Sequence, residues 1–277
     1  MESMGARFIA GNHQRRQRLR AVDETSGGDR QHGSVLCTRA MTWMVHGLLQ
    51  AAVIVALYAL VVYGALLARR APASERALLV ALVVMELPMS AAAFHGVRVP
   101  LDGLVRQWLG AGHPAYPWVA ILYAPLTEEP AKLLPLALPW VMRRVNDRNA
   151  DRAAWALGLG FGVGEALFLA ALLWERVPSM PWYAYGGFMA ERFMVALVHG
   201  LTVRAALRAW TATPPQRARG VATAMAMHLA LNLPILLAAL GWFGSDRGRI
   251  AAGLTAWVAL WWGAAFARLT MRWDAEA

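Results

Sequence analysis

Runs of apolar residues close to the length of a bilayer crossing decide what this chain can fold into. Seven stretches, at about 43–68, 77–95, 117–142, 153–174, 188–208, 219–240 and 250–268, are predominantly apolar. Roughly 20 such residues cross the hydrocarbon core as a helix. Inside lipid the backbone must satisfy its own hydrogen bonds, which leaves helices or a closed barrel. The runs are continuous rather than alternating, so a barrel is excluded. The expectation is an all-α, polytopic transmembrane helical bundle of about seven spans. Composition agrees: 58% of the residues are hydrophobic and 16% charged, where soluble domains carry about 25% charged.

The net charge of +10 would point to nucleic acid in a soluble protein. Here the arginines fall in short connections between apolar runs, where they orient helices instead, and no nucleic-acid partner is expected. Arg69, Arg70, Arg76, Arg143, Arg144, Arg148, Arg152, Arg208, Arg217, Arg219, Arg268 and Arg272 fall on one set of connections. The opposite set carries only Arg98, Arg106, Arg176, Arg247 and Arg249. The richer set is expected on the cytoplasmic side of a multi-pass protein of the bacterial inner membrane. Residues 1–40 read as a basic, disordered tail, or as sequence upstream of a start at Met41 or Met44. Residues 41–273 read as one transmembrane domain. The stretch 96–116 is too polar to span and is expected to hold a short interfacial helix around Leu101–Leu109. Cys37 is the single cysteine, which leaves no disulfide framework and no cysteine zinc site.

Ionisable residues inside the apolar runs are the informative exceptions, because each costs roughly 2.5–3.5 kcal/mol to insert at a span centre. The run LYAPLTEEPAKLLPL, residues 122–136, holds Glu128, Glu129 and the only lysine of the chain, Lys132. A compact ammonium at a single position, in a chain that otherwise uses arginine, marks a site where the two cations are not interchangeable. Pro125 is expected to end one half-helix, Thr127 to cap the next, and Pro130 to sit in its first turn. The third span is therefore expected to be broken, with both glutamates at a helix N-terminus. Lys132 follows Glu129 by three residues and Glu128 by four, so it shares a face with both. A buried ion pair alone would explain one carboxylate and one cation; the surplus negative charge calls for metal or proton chemistry.

Further along, Gly158 with Gly162 and Gly160 with Gly164 give small-residue spacings that let helices approach closely, and Glu165 follows them. Arg192 and His199 lie two turns apart on one face, and His228 and Asn232 one turn apart. Glu86, beside Pro88, either lines the same cavity or satisfies a kinked backbone. Glu191 is expected to reach water. Two imidazoles and three carboxylates on successive runs form a donor set that suits zinc, and a catalytic zinc needs three protein ligands plus water.

In order and placement, EEPAK (Glu128–Lys132), FGVGE (Phe161–Glu165), Arg192 with His199, and HLALN (His228–Asn232) resemble the motifs of the PrsW family of intramembrane proteases. The similarity covers about residues 117–240. The broader relatives are the CAAX prenyl proteases and bacteriocin-processing enzymes, which carry Arg in place of Lys132 and His in place of Glu165. Ala166 and Pro130 depart from the family pattern. The resemblance implies hydrolysis of peptide bonds in membrane-anchored proteins or peptides, within a polar cavity open to the cytoplasm. Glu165, His199 and His228 would ligate a divalent metal, zinc above all, with one or both of the paired glutamates as further candidates. One glutamate of the Glu128–Glu129 pair, Glu128 by preference, would be the general base. Asn232 would face the oxyanion, and Lys132 and Arg192 would balance the carboxylates. The same residues also serve a version without metal, in which Glu128 and a histidine activate water. A transporter or proton relay built on the same cluster, and a non-catalytic membrane scaffold, are the competing readings.

Overall fold

The computed structural model describes residues 46–208 and 213–271. The expected N-terminal tail, the alternative starts at Met41 and Met44, Cys37 and Arg272 lie outside the described residues. Every element among those residues is helical: α1 (Gly47–Arg70), α2 (Ala73–Glu86), α3 (Met89–Ala93), α4 (Val99–Leu109), α5 (Tyr116–Ala120), α6 (Tyr123–Ala131), α7 (Pro139–Met142), α8 (Ala150–Leu173), α9 (Gly186–Leu207), α10 (Pro214–Ala239) and α11 (Arg247–Met271). Single turns link some of them: a π turn at Phe94–Arg98, and 3-10 turns at Leu134–Ala137 and Trp182–Tyr185. Five helical stretches are long and apolar enough to cross a membrane: 47–70, 73–109, 150–173, 214–239 and 247–270.

The apolar character runs outward as well as inward. Leu57 and Val61 of α1, Val80 of α2 and Leu260 of α11 are all exposed, as a bilayer-facing surface requires. The core gathers around α8, which packs against α1, α2, α3 and α9. Its glycines set that position. A Cβ on Gly158 would lie 2.1 Å from the backbone nitrogen of Gly200, and one on Gly162 would lie 2.4 Å from the Cα of Ala196, both in α9. On the other face, a Cβ on Gly160 would lie 2.3 Å from the Val83 carbonyl oxygen, and one on Gly164 would lie 2.0 Å from that of Leu87. The two glycine pairs thus admit two different neighbours, one on each side of α8.

Two sequence expectations change. First, 96–116 does not separate from the preceding run. Helix continues from Ala73 through the π turn to Leu109 as one apolar stretch of 37 residues. The expected helix at Leu101–Leu109 is present, as the end of this stretch. Second, the third run is broken, but elsewhere than expected. Pro125 lies in the first turn of α6, where its missing N–H costs nothing, so the helix starts before it. Breaks fall on both sides of α6, at Ile121–Leu122 and at Lys132–Leu133. Thr127 is no cap: its hydroxyl donates back to the Tyr123 carbonyl at 2.7 Å. Pro130 lies inside the last turn, where it cannot donate to the preceding turn, and α6 ends at Ala131. The glutamates therefore occupy a helix C-terminal end, where the backbone dipole disfavours negative charge. Side chains, not the dipole, must hold them.

Three cross-links fix which ends share a side. Arg70 donates to the carbonyls of Leu269 and Thr270. Arg152 pairs with Glu75, and Arg204 with Asp151. The end of α1, the start of α2, the start of α8, the end of α9 and the end of α11 therefore lie together. These are the arginine-rich connections, gathered at one end as the sequence predicts.

Candidate functional site

All eight residues singled out from the sequence lie on α6, at its C-terminal boundary, and on α8, α9 and α10; seven of them form two linked groups, and Asn232 joins them only as part of the cleft wall. In the first group, one oxygen of Glu129 meets two partners. Its Oε1 accepts from Lys132 Nζ at 2.5 Å and faces His228 Nδ1 at 2.6 Å. A carboxylate against Nδ1 selects the tautomer with the proton on that nitrogen and leaves Nε2 as an acceptor. Lys132 is fully buried. It also donates to Thr202 Oγ1 at 3.3 Å and stands 4.9 Å from the centre of the Phe161 ring. A buried cation thus meets a carboxylate, a hydroxyl and an aromatic face, which explains why a small, three-proton donor occupies this position.

Glu128 is held differently, although Lys132 was expected to share a face with both glutamates. Its Oε1 stands 3.6 Å from Arg98 Nη1 and its Oε2 stands 3.8 Å from His228 Nε2. That Oε2 is buried and has no hydrogen-bond partner among the described residues. In the second group, Glu165 Oε2 lies 2.8 Å from His199 Nε2 and 3.0 Å from Arg192 Nη1. The Arg192 contact is ionic rather than an aligned hydrogen bond. Arg192 also pairs with its neighbour Glu191. The His199 and His228 rings stand 6.0 Å apart and join the two groups, with Phe161 edge-on to His199 at 5.1 Å.

An open cleft of about 580 Å³ exposes this chemistry. Glu128, Glu165, Arg192, His199, His228 and Asn232 line it, whereas Glu129 and Lys132 stand behind it. Arg98 and Glu191 also line it, and the rest of the wall is apolar, with Ile121, Leu169, Val195, Leu231, Ile235 and Leu236. The lining runs from His199 and His228 towards the start of α9 and the end of α10, away from the arginine-rich end. A cavity opening towards that end, as expected from the sequence, is not what forms.

Three participants escaped the sequence reading. Arg98 was placed in a polar connection, yet the π turn aims it at Glu128; π turns are frequent at functional sites, but a sequence does not announce them. Thr202, one turn after His199, carries no signal at all. Glu191, expected to reach water, keeps about a third of its side chain exposed (34%) at the cleft and also pairs with Arg192, which the sequence did not announce. Glu86 is fully buried, neither of its oxygens has a partner among the described residues, and it does not line the cleft. The cavity-lining alternative for Glu86 therefore fails.

Among the described residues, no three His, Cys, Asp or Glu side chains are arranged as a metal-ligand set. The donor types of Glu165, His199 and His228 do suit zinc. The chain matches no protein-family model, no curated protein and no solved structure.

Proposed function

We propose that this protein is an intramembrane peptidase, a seven-pass protein of the bacterial inner membrane whose third span is broken. It would hydrolyse peptide bonds of membrane-anchored proteins or peptides with an activated water, as its resemblance to the PrsW family implies. The observation that carries the reading is the pairing of Glu128 with His228. Two acceptors, Oε2 and Nε2, stand 3.8 Å apart on side chains that line an open cleft, a separation that one water donating to both would bridge. A water so held presents its lone pairs to a carbonyl.

In the reaction, Glu128 takes the proton of the attacking water while His228, oriented through Nδ1 by Glu129, holds the other. Asn232, one turn along the cleft wall from His228, faces the developing oxyanion. Glu128 then returns its proton to the leaving amine. Lys132 balances Glu129 from behind, and Arg192 balances Glu165. The apolar wall accepts an extended, apolar stretch of substrate. If a divalent metal such as zinc is resident, Glu165, His199 and His228 are the residues that hold it. It would supply a polarised water near neutral pH.

The test is cleavage of a membrane-anchored reporter by the purified protein in vesicles, with metal content measured on the same samples. Glu128→Gln is expected to lower cleavage by about 10²–10⁴-fold, the usual worth of a general base, at unchanged Tm. Full cleavage by Glu128→Gln would sink the reading. Ion or solute flux that survives changes at both histidines would put a transporter in its place. About one zinc per chain, lost in His228→Ala, would assign the metal.

A further inference from the structure

A second concavity lies away from the site, between α1 and α2 against α8. Leu60, Gly64 and Leu67 of α1, Leu79 and Val83 of α2, and Leu159 of α8 line a groove of about 370 Å³, and the one charged residue on it is Arg76. Gly64 is what opens it: a Cβ there would meet nothing within 4 Å, unlike the tightly packed glycines of α8. From Arg76 to Leu87 the lining follows α2 for 11 residues, about 16 Å of helix at 1.5 Å per residue. Spread over that length, about 370 Å³ is far short of the volume of a helix about 10–12 Å across. The dimensions fit a single flexible chain.

The charge at the mouth selects the head of that chain. Arg76 sits in the first turn of α2, where unpaired backbone N–H groups and the helix dipole already favour an anion. Its Nε makes one long hydrogen bond, 3.4 Å to the Ala71 carbonyl. Among the described residues no other bond to its guanidinium is recorded, whereas its neighbours are committed, Arg70 to the end of α11 and Arg152 to Glu75. The groove mouth lies at the arginine-rich end, and anionic lipids concentrate in the cytoplasmic leaflet that this end is expected to face. We infer that the groove between α1 and α2 is a binding site for an anionic phospholipid, with an acyl chain along Gly64 and the phosphate on Arg76. This inference is independent of the peptidase reading.

The experiment compares retention of one phosphatidylglycerol with one phosphatidylcholine of the same acyl chains, by native mass spectrometry of the delipidated full chain in detergent. The wild-type protein is expected to prefer phosphatidylglycerol by about fivefold, the ratio given by about 1 kcal/mol for one arginine near an anionic lipid. Arg76→Gln should equalise the two lipids, and Arg76→Lys should keep the preference. Gly64→Leu, whose side chain has room to enter the groove, should lower retention of both lipids without lowering Tm. A preference that is absent from wild type or that survives Arg76→Gln overturns the assignment, and so does undiminished retention of both lipids in Gly64→Leu. So does displacement of the lipid, one for one, by an apolar transmembrane peptide.

Discussion

Glu128 and Glu129 are adjacent in sequence and chemically unlike, and the difference lies in what touches them. Glu129 is spent on Lys132 and His228; Glu128, which lines the cleft, keeps one buried oxygen without a hydrogen-bond partner among the described residues. Removing one partner of a buried charged pair strands the other, at a cost of about 3–5 kcal/mol. Glu129→Gln is therefore expected to lower Tm by several degrees and activity with it, while Glu128→Gln lowers activity alone. Thermal unfolding in detergent beside the cleavage assay separates the two, and equal Tm losses would contradict the division of labour. Lys132→Arg is the sharper substitution, because it keeps the charge. The ammonium is fully buried between Glu129, Thr202 and the Phe161 ring, so a larger planar group must displace them. The variant should be as destabilised as Glu129→Gln despite unchanged charge; a stable Lys132→Arg would mean that position 132 needs only a cation. The lone lysine and the paired glutamates were legible in the sequence because ionisable groups are rare in apolar runs. Thr202 and Arg98 were not, since a hydroxyl one turn past a histidine and an arginine in a polar stretch are unremarkable until helices meet.

Helices α8 and α9 hold the site together through the absence of side chains. Gly158 and Gly162 bring α9 close enough for Glu165 on one helix to reach His199 and Arg192 on the other. A methyl group at Gly158 would stand 2.1 Å from the Gly200 backbone nitrogen, a distance only helix movement relieves. Overpacking of this kind costs about 1–3 kcal/mol. Gly158→Ala is expected to lower Tm and to weaken catalysis by separating Glu165 from His199. Gly253→Ala in α11 is the control. Its Cβ would meet nothing within 4 Å, and exchanging glycine for alanine inside a helix gains up to about 1 kcal/mol. Opposite signs for the two changes in thermal unfolding are the expected result, and a neutral Gly158→Ala would mean that α9 is not seated on α8 as described. At this scale the four-residue glycine spacing foretold close packing, and the division of the pairs between α9 and α2 follows from it. The break in the third run was foretold by its prolines, but its position was not. A proline is compatible with the first turn of a helix as well as with the residue after its end, and local sequence does not choose between them.

The whole molecule sets two expectations against each other. The positive-inside rule places the arginine-rich end in the cytoplasm, and the cross-links of Arg70, Arg152 and Arg204 gather those connections at one end. The cleft runs the other way. On α10 its lining continues from His228 through Asn232 and Leu236 to Ala239, towards the end of the helix that starts on the arginine-rich side. Chain direction alone settles this: α10 leaves that side at Pro214, and His228 lies 14 residues along it, about 21 Å. On the proposed peptidase reading, water and substrate would therefore reach Glu128 from the non-cytoplasmic face if the charge rule holds. Single cysteines in a Cys37→Ser background test it in intact cells with a membrane-impermeant maleimide. Ser74→Cys, at the start of α2, should label only after permeabilisation, and Ser245→Cys, between α10 and α11, should label without it. Leu236→Cys in the cleft wall should then label from outside, and a large apolar peptide should protect it. The reverse pattern at all three positions would place the cleft on the cytoplasmic side and make this chain an exception to the charge rule. Labelling of Ser74→Cys and Ser245→Cys from the same side would break the gathering of the arginines at one end, and with it the path proposed for the substrate.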